Sequence, residues 1–182
     1  VIMHLGARPV FVDVLPNQNI NPTKIEAAIT DKTKAIMPVH LTGRVCEMDP
    51  IIALAEKYSL AVVEDAAQAI GSKYKDHLSG SFGHVGCFST HPLKNLNACG
   101  DGGFITTNDE KIYSEVKALR NHGMTDRNTV NKFGYVSRMD TIQATILNYR
   151  LGKLDEIIQK RCDNAQIYFD TIKTEFVDMA NE

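Results

Sequence analysis

The chain has 182 residues, of which 43% are hydrophobic and 23% are charged, and its formal net charge is −2. This balance is typical of one globular domain, and the near-neutral charge does not favour a nucleic-acid or anionic-membrane surface. No apolar run approaches the ~20 residues of a membrane span, and no N-terminal stretch resembles a signal peptide. The four cysteines form no CxxC pair and the six histidines are scattered, so we expect neither a disulfide framework nor a metal site. We interpret the cysteines as reduced thiols of a cytoplasmic protein.

Short apolar runs alternate with helix-like stretches along the chain. Strands are predicted at residues 9–14, 34–40, 60–64, 85–89 and 103–107. Helices are predicted at residues 22–29, 50–58, 109–121, 139–151 and 154–176. Their expected caps are Asn21 with Pro22, Asp49 with Pro50, and Thr107 or Asn108. Residues 72–83 are typical of a hairpin and residues 120–137 of a long loop. This alternation predicts an α/β fold with a mostly parallel sheet covered by helices.

Polar side chains follow the predicted strands at the edge where ligands bind in open parallel sheets. They are Asp65, Gln68, Ser89 and Lys94, followed by the glycine run at residues 100–103. Each alone is weak, because an acid after a strand is usually a helix cap and a lone lysine is usually solvated. Together, an acid for a ring nitrogen, a hydroxyl for a phosphate and a lysine amine are what pyridoxal phosphate (PLP) requires. The neighbouring Glu64 points to the other strand face, so Asp65 is the favoured acid.

Several motifs occur together in one order. They are VVEDAAQAIG (62–71), GSFG (80–83), CFSTHPLKNL (87–96), GDGG (100–103) and YVSRMDTIQ (135–143), with residues 9–14 and 38–43. In this order and spacing the chain resembles the DegT/DnrJ/StrS-type PLP-dependent sugar aminotransferases, from near Val1 to about Phe176.

The resemblance implies the large domain of a fold-type I PLP transferase, in which helices flank a mixed, mostly parallel sheet. The chain begins at Val1 without an initiator methionine, and we expect a fragment that is incomplete at both ends. Residues 1–150 would form part of the large domain, and residues 151–182 a helix leading toward a missing small C-terminal domain. Relatives work as homodimers, with both subunits building each site.

The resemblance also implies a role for each candidate residue. Lys94 would form the Schiff base with PLP and then shuttle a proton. Asp65 would pair with the pyridinium nitrogen, Gln68 would sit against the ring or its phenolic oxygen, and Ser89 would bind the phosphate. The expected reaction moves an amino group, with glutamate as the expected donor, to a nucleotide-linked keto-sugar used for polysaccharide or secondary-metabolite synthesis. Related dehydratases carry His in place of Lys94, so the lysine favours amino transfer.

One position departs from the pattern of the relatives. They usually carry Asn where this chain has Val136, and that Asn reaches the cofactor phosphate of the neighbouring subunit. Valine cannot donate this hydrogen bond.

A PLP-fold protein without catalysis, acting as a regulator or binding module, is therefore the first alternative. A nucleotide-binding domain is the second, although no phosphate-binding glycine motif follows a strand. Among the remaining polar residues, a buried hydrogen-bonded role is favoured for His40, loop orientation is suggested for His91, and a salt bridge competes with substrate contact for Arg138.

Overall fold

A mixed four-stranded sheet forms the centre of the computed structural model, which describes residues 1–172. Its strands are β1 (Ala35–Ile36), β2 (Ala61–Asp65), β5 (Val85–Ser89) and β6 (Gly103–Thr106), and β3 (Lys73–Tyr74) and β4 (His77–Leu78) form a separate hairpin. The sheet order is β1-β2-β5-β6, parallel from β1 to β5 and antiparallel between β5 and β6. This confirms the predicted α/β fold and the predicted hairpin.

Five α-helices accompany the sheet in the described part of the chain. They are α1 (Pro22–Ile25), α2 (Met48–Tyr58), α3 (Glu110–Leu119), α4 (Thr141–Leu151) and α5 (Leu154–Thr171), with short 3-10 turns at Ile2–Leu5, Glu26–Ala28 and Leu41–Gly43. The predicted cap of α1 is confirmed, since the Asn21 side chain accepts from the Thr23 backbone N–H at 3.0 Å. The last helix was predicted to reach residue 176 but ends at Thr171, and residues 173–176 lie outside the described residues.

Two hydrophobic clusters form the core. The larger lies between α1, α2 and the first two strands, and its buried members are Ile25, Ile36, Cys46, Met48, Ile51, Ala55, Leu60 and Val62. The smaller joins the segment after β5 to the start of α5 and to α4, through Leu96, Ala98, Leu147 and Leu154. The second cluster therefore connects helices late in the chain to the segment that carries Lys94.

The strand predicted at residues 9–14 is wrong. Within the described residues, only Val14 of this segment makes a β-bridge, with Ile20, and Phe11 is 92% exposed. A β-branched and aromatic run becomes a strand only where a neighbour pairs with it. The strand predicted at residues 34–40 is shorter as a ladder, although Val39 still bridges to Asp65. Pro38 lacks an N–H for pairing, which an edge position such as that of β1 tolerates.

Two predicted helix caps are also wrong. Helix α2 begins at Met48, before the Asp49-Pro50 pair, and Asp49 instead pairs with Lys75. Pro50 fits inside the first turn because its missing N–H would have no partner within the helix. The cap of α3 is Asp109, whose Oδ1 accepts from the backbone amides of Lys111 and Ile112 at 2.7 and 3.2 Å. Thr107, one of the two expected caps, accepts from the Asp109 N–H instead.

Candidate active site

Two polar side chains end neighbouring strands at one edge of the sheet. Asp65 is the last residue of β2 and Ser89 is the last residue of β5. The parallel register pairs Asp65 with Cys87, so Ser89 lies two residues further along β5. Both side chains are half-buried. Because ligands of open α/β sheets bind outside the carboxyl ends of the strands, we place the candidate site at this edge.

Asp65 and its neighbour Glu64 have different surroundings, as the alternation of side chains along a strand predicts. Glu64 is fully buried, whereas Asp65 is half-buried at the sheet edge. Asp65 Oδ1 accepts a hydrogen bond from the backbone N–H of Ala67 at 3.1 Å. That bond orients the carboxylate, and a carboxylate has capacity for further donors. Asp65 is therefore the acid available to a cationic ligand group.

Glu64 lies in a buried polar network beneath this edge. Its carboxylate accepts from the backbone N–H groups of Gly80, Phe82 and Gly83 at 2.7, 2.8 and 2.6 Å, and it lies 3.0 Å from His40 Nε2. Burial by itself raises the pKa of Glu64, but the hydrogen bonds from His40 and from the three amides outweigh it and lower the pKa below its usual value. Glu64 is therefore a charged structural anchor of the segment between the hairpin and β5.

The tautomer of His40 follows from its two partners. The imidazole is fully buried, and its Nδ1 accepts from the backbone N–H of Cys46 at 3.2 Å. Because an amide N–H can only donate, Nδ1 carries no proton, and Nε2 donates to Glu64. This confirms the interpretation of His40 as a buried, hydrogen-bonded histidine.

Gln68 is held by the turn that follows β1. Its Oε1 accepts from the backbone N–H of Thr42 at 2.6 Å. Since the backbone donor must face an oxygen, the NH₂ group is the end left to contact a ligand. Thr42 has a φ of 55° and Gly43 a φ of 94°, and a Cβ at Gly43 would come within 3.1 Å of the Gln68 carbonyl oxygen. This tight turn therefore fixes the orientation of the Gln68 amide.

Ser89 and Thr90 place two hydroxyl groups at the end of β5. Ser89 Oγ accepts from the His91 N–H at 3.3 Å, so its own O–H is available as a donor. Among the described residues, Thr90 Oγ1 is a buried hydroxyl without a hydrogen-bond partner. A Cβ at Gly102 would lie 2.7 Å from that oxygen, which explains a glycine at this position. The unmet hydrogen-bonding capacity of Thr90, next to Ser89, fits an edge that receives a polar ligand.

Lys94 lies in a loop that we call the lysine loop, residues 90–102. The Lys94 side chain is half-buried, and its backbone N–H donates to the His91 carbonyl at 2.8 Å. His91 Nδ1 accepts from the Leu93 N–H at 3.2 Å, so His91 does orient the loop. None of the hydrogen bonds among residues 1–172 joins the Lys94 amine to Asp65, Gln68 or Ser89. The sheet thus brings the acid and the hydroxyl to one edge, and the loop carries the lysine beyond it.

Two side chains of α4 contact the lysine loop, and we assigned neither a role from the sequence. Gln143 Oε1 accepts from the Cys99 backbone N–H at 2.8 Å. Arg150 Nη1 donates to the backbone carbonyl of Asn97 at 2.6 Å and also to the Asn97 side-chain oxygen. Gln143, Leu147 and Arg150 recur at i, i+4 and i+7, which places them on one helix face. A stripe of polar residues flanking a buried leucine was the available signal.

Val136, at the position where relatives usually carry Asn, lies on the surface of the chain. It is 64% exposed and forms an isolated antiparallel bridge with Asn121. The Ser137 carbonyl accepts from Arg120 Nε at 3.2 Å, which ties this segment to the end of α3. Arg138 is exposed as well. The bridge involves the backbone of Val136, and its side chain stays exposed.

Two other kinds of site are not found in residues 1–172. No helix there is both long and apolar enough to cross a bilayer. No group of three or more His, Cys, Asp or Glu side chains there is arranged to hold a metal ion. The four cysteines, all within this range, are free thiols.

The fold and the order of these motifs match a known protein family. Residues 1–179 match the DegT/DnrJ/EryC1/StrS aminotransferase family, and the chain belongs to it. Among its curated relatives, the chain is 48% identical over 147 residues to the UDP-N-acetyl-3-dehydro-alpha-D-glucosamine 3-aminotransferase of Acidithiobacillus ferrooxidans. That match covers 80% of this chain and 40% of the relative.

Two further relatives differ in what their names describe. The chain is 45% identical to the "Pleiotropic regulatory protein" of Geobacillus stearothermophilus, over 92% of this chain and 45% of that one. The structure of NtdA from Bacillus subtilis with the cofactor PMP bound superposes with a TM-score of 0.78 and 37% identity, over 84% of this chain and 35% of that one. The chain thus spans less than half the length of each of these relatives.

Proposed function

We propose that this chain forms most of the cofactor domain of a PLP-dependent aminotransferase. The full protein would move an amino group from an amino acid, with glutamate as the expected donor, to a nucleotide-linked keto-sugar. The proposal rests on the position of Asp65 and Ser89 at the same edge of the sheet. From this edge the chain continues into the loop that bears Lys94. Family membership and the named sugar-aminotransferase relative support it.

The side chains at this edge fit the groups of PLP. The Asp65 carboxylate suits a protonated pyridine nitrogen, and at ~4 Å and an effective dielectric of ~20 such a pair attracts by roughly 4 kcal/mol before desolvation costs. The Ser89 O–H suits a phosphate oxygen, and the free NH₂ end of Gln68 suits the phenolic oxygen. When bound, PLP supplies an electron sink for charge that develops on the substrate carbon.

Lys94 would have two tasks in this reaction. Its amine would hold the cofactor covalently at rest and, once substrate has displaced it, would carry a proton to and from the reacting carbon. Asp65 would keep the ring nitrogen protonated throughout, and Gln68 would fix the tilt of the ring. Of Lys94, Asp65 and Gln68, only the Lys94 side chain would have to move during the reaction.

The wider setting belongs to the same proposal. We place the protein in the cytoplasm, where nucleotide sugars and free amino acids meet. We also propose a homodimer, supported by exposed apolar side chains such as Phe133 and Tyr135, which are 101% and 67% exposed. Residues 1–150 would be the cofactor domain, and residues 151–182 would lead toward the small domain.

A regulatory protein with the same fold is the second candidate. The name of the Geobacillus stearothermophilus relative favours it, as does Val136, which cannot donate a hydrogen bond to a phosphate. Such a protein could bind PLP at Lys94 without transferring an amino group. A cofactor assay and an amino-transfer assay therefore have to be read separately.

The test uses the full-length protein, PLP and the Lys94→Ala variant, with Lys32→Ala as the control because Lys32 is exposed on a distant turn. We expect a visible PLP band and a borohydride-stable adduct at Lys94 in the parent and in the control, and neither in Lys94→Ala. Amino transfer to a nucleotide-linked keto-sugar should fall by at least ~10³-fold in Lys94→Ala. An adduct at another lysine would contradict the assignment of Lys94, and an adduct at Lys94 without amino transfer to any keto-sugar would favour the regulatory candidate.

A further inference from the structure

The lysine loop closes on itself at its base. The Thr90 backbone N–H donates to the Gly102 carbonyl at 2.9 Å, and the Ala98 N–H donates to the Thr90 carbonyl at 2.8 Å. These bonds define the neck of the loop but do not reach Lys94, which lies between Thr90 and Ala98. The shape of residues 91–97 must therefore be set by other contacts.

Asn97 spans the segment that carries Lys94. Its Nδ2 donates to the Pro92 carbonyl at 2.8 Å, so one side chain joins residues on both sides of Lys94. Together with the bond from the Lys94 N–H to the His91 carbonyl, this closes a short turn around the lysine. Loss of the Asn97 bond would leave this turn with only two local contacts, the Lys94 N–H bond to the His91 carbonyl and the Leu93 N–H bond to His91 Nδ1.

Arg150 determines which way the Asn97 amide faces. A guanidinium group has donors and no acceptor, so the Asn97 atom that it contacts must be the oxygen. The NH₂ of Asn97 is then directed at Pro92, which offers only a carbonyl acceptor. Arg150 also holds the backbone carbonyl of Asn97 at 2.6 Å through the same nitrogen. The orientation of the turn thus depends on a helix residue 53 positions away.

The rest of the α4 face supports this connection. Leu147, one turn before Arg150, is buried with Leu96 and Ala98 of the lysine loop. Gln143, one turn earlier again, accepts from the Cys99 N–H. Arg150 therefore contacts the loop from a helix that packing already fixes against it, which limits the freedom of its long side chain.

We propose that Arg150 and Asn97 are positioning residues that hold the lysine loop in the shape that presents the Lys94 amine. The inference rests on the proposed role of Lys94 as the cofactor-bearing lysine. It adds that contacts within the protein hold the turn around Lys94. Neither residue touches the cofactor in this scheme, and both act through the backbone around Lys94.

Amide hydrogen exchange in the cofactor-free, full-length protein tests the loop directly. In Arg150→Met we expect the Lys94 and Ala98 amides to exchange about tenfold faster, as the loss of roughly one hydrogen bond implies. Arg150→Lys should restore slow exchange, because one nitrogen contacts both Asn97 oxygens and an ammonium can replace it. In Arg150→Met, exchange of the Leu60 amide, which lies in the other core cluster, should remain unchanged. In the control Arg161→Met, which replaces an exposed residue, the Lys94 and Ala98 amides should exchange as in the parent.

A second readout links the loop to Lys94. At saturating PLP, the borohydride-stable adduct at Lys94 should form about tenfold more slowly in Arg150→Met than in the parent and Arg150→Lys. Asn97→Asp provides a second variant if Arg150→Met does not fold. It keeps the oxygen that Arg150 contacts but loses the donor to Pro92, and it should slow the adduct similarly.

Two results would overturn the inference, and they are distinguishable from failure of the proposed function. Parent-like exchange and parent-like adduct formation in Arg150→Met and Asn97→Asp would show that the loop holds its shape without them. A parent protein that forms no adduct at Lys94 would refute the proposed function, and the positioning role with it, even where Arg150→Met speeds exchange.

Discussion

The two halves of the candidate site are held in place by different means. The acid edge, residues 61–68, is part of the sheet and rests on the buried Glu64–His40 network and on backbone amides. The lysine loop lies outside the sheet and depends on side chains of α4, which is separated from it by 44 to 53 residues. One half is thus fixed by strand pairing and burial, and the other by contacts that distant parts of the chain supply.

This difference has a functional consequence. Asp65 and Ser89 would bind the ring and the phosphate throughout the reaction, so a rigid sheet edge suits them. Lys94 would have to release the cofactor and return to it, which suits a loop that is held at its ends and along one side. We therefore expect damage to the acid edge to destabilise the whole protein and damage to the lysine loop to remain more local.

The largest effect should come from removing the buried acid. Glu64→Ala leaves three backbone N–H groups and His40 without their acceptor in a fully buried place, and should cost roughly 3–5 kcal/mol of stability. Denaturant unfolding of the full-length protein measures this cost. Glu26→Ala, which removes an exposed carboxylate bonded to Lys57 and Tyr58, is the control and should shift the midpoint far less. Equal midpoints for the two variants would show that the network does not stabilise the acid edge.

A smaller effect should follow from loosening the packing under the lysine loop. Leu147→Ala removes a buried side chain between α4 and Leu96, and should cost about 3 kcal/mol. Exchange of the Ala98 amide should rise more than exchange of the Leu60 amide, since only Ala98 belongs to this cluster. Leu151→Ala, on the same helix but 53% exposed, is the matched control. Equal acceleration at Ala98 and Leu60 would mean that the two regions do not open separately.

The sequence predicted the acid edge better than the lysine loop. Strand β5 has the predicted bounds, and the opposite surroundings of Glu64 and Asp65 follow from strand alternation. Both are local properties that a period of two residues encodes. The assignments of Asp65, Gln68, Ser89 and Lys94 to a cofactor came from the family resemblance and stay predictions until the cofactor assay is made.

What the sequence did not predict depended on contacts between distant residues. The i, i+4, i+7 spacing places Arg150 on the packed face of α4, but it does not indicate that the partner is Asn97, because that contact exists only once α4 packs against the loop. At residues 9–14 the sequence predicted a strand that is not observed, because the strand-forming residues there have no ladder partner in the described chain. The predicted caps Asp49 and Thr107 each lie two residues from the observed N-caps, Glu47 and Asp109, because several polar residues competed at each helix start.

The smallest expected effect is the pH dependence of the acid edge. This effect separates the two regions, because it does not alter the lysine loop. The folded pKa of Glu64 lies below its ordinary value of 4.5, so this group stabilises the folded state fully above about pH 4.5 and loses that contribution as the pH falls through the folded pKa. The loss should be smaller than in Glu64→Ala, because the protonated acid keeps its volume and one acceptor oxygen.

Comparison with Glu64→Gln isolates this contribution, since the amide does not titrate and the exposed carboxylates are common to both proteins. Between pH 6 and pH 3, the range ~1.5 units either side of the ordinary glutamate value, unfolding free energy should fall more steeply in the parent than in Glu64→Gln. Parallel curves would mean that Glu64 keeps the same affinity for its proton in the folded and unfolded states. Hydrogen exchange of the Lys94 amide should not differ between the parent and Glu64→Gln until the whole protein unfolds, because the contacts of the lysine loop include neither Glu64 nor His40.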